Sequence, residues 1–91
     1  LMYQFKNNDL YRDAISKWGI EAQLWICVEE CSELLNAIAK NKRGREKESA
    51  IIEELADVSV MVDQLSLYFD KAEFNRIKEA KLQCLYEKVM K

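Results

Sequence analysis

The chain has no histidine, no proline and only two glycines in its 91 residues. Without histidine, a di-iron carboxylate bundle that pairs Glu with Glu-x-x-His is excluded. The same absence argues against zinc. Cys27 and Cys31 have ligand-like i, i+4 spacing, but only Cys84 is left to join them. Three cysteines are an odd count that builds no small-disulfide framework, and they read as reduced core thiols of a cytoplasmic protein. No apolar run approaches the roughly 20 residues of a membrane span, and no signal-peptide pattern opens the sequence. A cytoplasmic location and no membrane partner are therefore expected. Net charge is small: 14 basic against 16 acidic residues leave -2, which gives no global drive toward nucleic acid.

What the chain does have is an ordinary soluble balance, 49% hydrophobic and 33% charged. Its length allows one domain, residues 1–91. A chain this short buries only about two-thirds of its unfolded surface. Homo-oligomerisation is the expected remedy. No internal repeat or low-complexity segment interrupts the pattern.

The periodicity predicts an all-α fold of about four helices. Residues Leu1–Lys6 read as a loose lead-in. Asn8 or Asp9 is placed to cap a first short helix carrying Leu10, Ala14, Ile15 and Trp18 on one side, and Gly19 ends it. A second helix, about Ile20 to Lys40, carries an apolar stripe of Ile20, Leu24, Cys27, Val28, Cys31, Leu34, Leu35 and Ile38. A third, about Glu48 to Phe69, repeats the pattern with Ile51, Leu55, Val58, Val62, Leu65 and Phe69. These stripes are the expected core. Between the two helices lies Lys40-Asn41-Lys42-Arg43-Gly44-Arg45-Glu46-Lys47, an exposed loop with five cations in eight residues. Asp70 with Glu73 resembles a capping box for a fourth helix, whose apolar side is Phe74, Ile77, Leu85 and Val89.

Beside each apolar stripe runs a second one. On the second helix it is Gln23, Ile26, Glu30, Glu33 and Ala37; on the third it is Glu54, Asp57, Met61, Gln64 and Tyr68. Carboxylates three residues apart lie on one helix face, one turn apart. Glu30 with Glu33 and Glu54 with Asp57 thus form two vertical pairs, and antiparallel packing through the loop would bring the pairs together. Converging carboxylates repel unless cations fill the gap. Carboxylate oxygens are hard ligands that suit Mg²⁺ or Mn²⁺, and metals so held suit phosphate chemistry.

The pattern Glu29-Glu30-x-x-Glu33, a spacer, then Glu54-x-x-Asp57 resembles the signature of the MazG-like, all-α nucleoside triphosphate pyrophosphohydrolases. Trp18-Gly19-Ile20-Glu21-Ala22-Gln23 before the first pair and Glu53-Glu54-Leu55-Ala56-Asp57-Val58 around the second fit as well. The resemblance runs from about Trp18 to Leu85. It implies cleavage of a nucleoside triphosphate to a monophosphate and pyrophosphate, in the manner of nucleotide-pool housecleaning. It also implies Mg²⁺ held by the residues matching the motif, Glu30, Glu33, Glu54 and Asp57, in a helical homodimer or homotetramer.

Further candidates follow from position. Gln23, Gln64 and Tyr68 lie on the site-facing stripes, within reach of a base or sugar. Lys42, Arg43 and Arg45 of the loop and Lys78 and Lys81 of the fourth helix are available to phosphates. Glu29 points away from the stripe and reads as solvated, and Trp18 and Trp25 read as core or interface. The competing class is a non-catalytic helical interaction module whose acidic stripes are surface features.

Overall fold

The computed structural model describes residues 7–91. The expected lead-in, Leu1–Lys6, lies outside them. Four helices follow in order: α1 (Asn7–Trp18), α2 (Ile20–Lys42), α3 (Glu48–Phe69) and α4 (Lys71–Val89), with no strand among the described residues. The all-α expectation holds.

Local chemistry explains the breaks. Gly19 has φ +88°, a conformation open to glycine at little cost, and its N–H donates to the Ile15 carbonyl at 2.8 Å. That turn separates α1 from α2. Asn8 and Asp9 lie inside the first turn of α1 rather than capping it, and Asp9 pairs loosely with Arg12 at 3.7 Å. An aspartate in the first turn still complements the helix dipole. α2 runs to Lys42, two residues beyond the expected end. Gly44, at φ +72°, then reverses the chain, and the amides of Arg43, Gly44 and Arg45 donate to carbonyls of the last turn. Asn41 adds a side-chain bond to the Glu46 carbonyl at 3.0 Å, which ties the basic loop to α2. Asp70 caps α4, accepting from the Glu73 amide at 3.0 Å. The Glu73 carboxylate does not complete a capping box; it takes the Arg76 guanidinium instead.

Packing is dominated by the α2/α3 hairpin. α1 lies against the start of α2 and the end of α3, and α4 meets the rest mainly through α3. The core differs from the expected one. Among the described residues the buried ones are Gln23, Ala37, Met61, Gln64 and Ser66, and all but Ser66 belong to the mixed stripes. The apolar stripes expected as core are only partly covered: Leu24, Leu34, Ile51, Val58 and Leu65 are half-buried, while Leu35 is 69% exposed, Phe69 64% and Leu55 51%. The reason is geometric. A helix pair buries one strip from each partner, and here the strips that meet are the mixed ones. The apolar strips sit on the adjoining face, where Cys27, Val62 and Leu65 line an open groove whose far wall is Phe74 and Ile77 of α4.

Candidate active site

Helical spacing sets the site. Glu30 and Glu33 lie one turn apart on α2, and Glu54 and Asp57 one turn apart on α3. The antiparallel hairpin puts Glu30 against Asp57 and Glu33 against Glu54. Ligand oxygens of Glu30, Glu33 and Glu54 all lie within 4.8 Å of one another. Asp57 adjoins this group through Glu30 rather than joining its tightest set. Two oxygens, Glu30 Oε2 and Glu54 Oε2, are closed off from solvent and have no hydrogen-bond partner.

These features have one electrostatic cause. Burial raises the Glu30 pKa above the usual glutamate value, and the charges of Asp57, Glu33 and Glu54 raise it further. Burial likewise raises Glu54, followed by Glu33 and Asp57. No lysine or arginine among the described residues pairs with any of the four; the ion pairs present are Asp9 with Arg12 and Glu73 with Arg76. A buried carboxylate oxygen without a donor is costly. A divalent cation would remove both costs, since hard oxygen donors from three or four carboxylates suit Mg²⁺ or Mn²⁺. The donor set fits such an ion.

The profile of the MazG nucleotide pyrophosphohydrolase domain matches residues 19–87. The chain belongs to that family. The matched span covers α2, α3 and nearly all of α4, so it contains every motif carboxylate. Comparison with curated proteins returned no match, and neither did comparison with solved structures. Membership in the MazG family implies a hydrolase acting on a nucleotide phosphoanhydride bond.

The other sequence candidates are spread out. Lys42 closes α2, and Arg43 and Arg45 follow in the loop. At 1.5 Å per residue Lys42 lies about 14 Å along the helix from Glu33. Lys78 and Lys81 are exposed on α4, and Lys78 sits over the Phe74 ring at 5.9 Å. None of these five cations makes an ion pair with the carboxylates. Gln23 is the exception, being only 3% exposed on the stripe of Glu30 and Glu33. Gln64 lies on the matching stripe and, at 5% exposed, is as enclosed as Gln23, a depth that helical spacing alone does not encode. The available signal was register. If Glu30 opposes Asp57, Gln23 seven residues earlier opposes Gln64 seven residues later.

Proposed function

We propose that this chain is a Mg²⁺-dependent nucleoside triphosphate pyrophosphohydrolase that releases a nucleoside monophosphate and pyrophosphate, in a nucleotide-pool housecleaning role. The observation that carries the reading is the carboxylate cluster on two helices within a MazG match, with oxygens of Glu30 and Glu54 unpartnered.

Glu30, Glu33, Glu54 and Asp57 would hold the ion, Mn²⁺ serving in place of Mg²⁺. When bound, the ion supplies a Lewis acid for phosphate oxygens and lowers the pKa of a water. The chain's own residues do the rest. Four anionic side chains on rigid helices fix where positive charge collects, and so where a triphosphate can sit. The raised pKa of Glu30 and of Glu54 marks groups that gain most from a cation beside them. Lys42, Arg43, Arg45, Lys78 and Lys81 attract phosphate from a distance, and Gln23 contacts the substrate away from the phosphates.

Assembly belongs to the same proposal. Val28 is 55% exposed, Leu35 69%, Leu85 55% and Val89 69%, which leaves a broad apolar surface on one protomer. A homodimer or homotetramer would cover it. No helix among the described residues is long and apolar enough to cross a membrane, and a cytoplasmic location suits the proposed substrate.

The experiment is product identity. A panel of nucleoside triphosphates is incubated with the protein and Mg²⁺ and scored for pyrophosphate and orthophosphate. Monophosphate with pyrophosphate is expected. Diphosphate with orthophosphate from every active substrate rules the reaction out, and no turnover of any triphosphate leaves the interaction-module class in its place.

A further inference from the structure

Gln23 and Gln64 are more deeply enclosed than the carboxylates, yet neither amide is satisfied. Gln23 is 3% exposed and Gln64 5%, while Gln23 Nε2 and Gln64 Oε1 have no hydrogen-bond partner. One is a donor and the other an acceptor. Native proteins seldom leave such atoms unpaired, and each exception calls for a reason. The register gives the pair an address. Each glutamine lies seven residues from a motif carboxylate, Gln23 from Glu30 and Gln64 from Asp57. At helical rise that is about 10 Å from the carboxylate group, along the same face of the hairpin. A nucleotide with its phosphates at the carboxylates and its long axis along that face brings its base to the glutamines.

We propose that Gln23 and Gln64 form the nucleobase subsite and read the hydrogen-bonding edge of the base; the proposal rests on the nucleotide-hydrolase reading above. The pair offers one donor and one acceptor. Either amide turns about its last torsion, so the order can reverse. Every standard base carries an adjoining donor and acceptor on its pairing edge, which is how enclosed sites read an unpaired base. The subsite therefore demands an unblocked edge rather than one base. Groups on the opposite side of the base go unread.

α1 is the cover. Tyr11 lies near Asp63, and Arg12, Ile15 and Ser16 form a recess with Leu67 and Tyr68, so α1 lies along the stretch of α3 that holds Gln64. None of its residues is buried, and a single residue, Gly19, links it to α2. In this proposal a base reaches the amides when α1 swings aside.

The test compares a nucleoside triphosphate with ribose 5-triphosphate, which has no base, using the full chain in Mg²⁺. Gln23→Met and Gln64→Met keep volume and remove the hydrogen bonds. Each should lower kcat/KM for the nucleotide on the order of tenfold and leave ribose 5-triphosphate unchanged. Equal losses on both substrates, or no loss on either, overturn the proposal and make the pair a packing feature. A second comparison needs no variant and so survives misfolding. Triphosphates methylated on the pairing edge should be poor substrates beside their unmodified parents, and equal turnover overturns the proposal. If no triphosphate is hydrolysed, the hydrolase reading fails. The subsite is then judged by calorimetric titration with the nucleotide and ribose 5-triphosphate, where equal affinity, or binding of neither, overturns it.

Discussion

Glu30 and Asp57 lie against each other across the α2/α3 contact, and among the described residues no lysine or arginine pairs with either. Two carboxylates in this position, with Glu33 and Glu54 beside them, oppose folding unless a cation joins them. The helices meet along this strip all the same. The fold therefore tolerates repulsion at the site and draws its cohesion from elsewhere along the hairpin, at Ala37 and Met61.

Metal should stabilise the folded chain. Mg²⁺ or Mn²⁺ binding only the native state raises the Tm, by an amount that grows with metal concentration. Glu30→Gln or Asp57→Asn removes a repelling charge, so the metal-free variant should melt higher than the parent and lose the metal response. Thermal melts with and without metal check this; an unchanged metal response in both variants refutes the assignment.

The pH dependence has a defined sign. Glu30 and Glu54 titrate above the usual glutamate range in the folded chain. Raised pKa values mean that the native state holds protons the unfolded state has released. Their contribution to stability is present below about pH 4.5 and is lost as pH rises through the folded values. Metal-free protein should gain Tm as the pH falls from neutral through those folded values, before general acid unfolding sets in. Glu54→Gln should flatten that rise, and saturating Mg²⁺ should suppress it.

Ligands and attractors should separate in kinetics. Removing a carboxylate by Glu33→Gln or Asp57→Asn should lower kcat far more than it raises KM, because the interaction matters most in the transition state. Arg43→Ala or Arg45→Ala should raise KM, and the double variant should weaken the dependence of KM on salt. Steady-state rates at two ionic strengths decide it.

Assembly should depend on the uncovered apolar strip. Light scattering of the parent at micromolar concentration should give a dimer or tetramer. Leu35→Glu, which places a charge at a site 69% exposed in the protomer, should leave helicity intact and shift the population toward monomer. A monodisperse monomer for the parent removes the assembly proposal.

The cap at Asp70 offers a structural control remote from the carboxylates. Asp70→Ala leaves the Glu73 amide without its acceptor. A loss of about 1 kcal/mol in unfolding free energy is expected, with no change in the metal response.

Spacing along one helix was enough to name the carboxylates. A three-residue interval on a helix admits one relative placement, so Glu30 with Glu33 and Glu54 with Asp57 follow from the sequence alone. The same holds for breaks that rest on local chemistry: Gly19 by its positive φ, Asp70 by its reach to an amide three residues on. What no single helix encodes is which of its two stripes faces a neighbour. The apolar stripes look like core because burial of apolar area is the main driving force. The tertiary structure encloses Gln23, Ala37, Met61 and Gln64 of the mixed stripes most deeply and leaves Leu35, Leu55 and Phe69 uncovered. Antiparallel register then decides everything that depends on two helices at once: the meeting of Glu33 with Glu54, the unpartnered oxygens, and the depth of Gln23 and Gln64. Those are properties of a packed pair, where the placement of one strip sets the surroundings of the other.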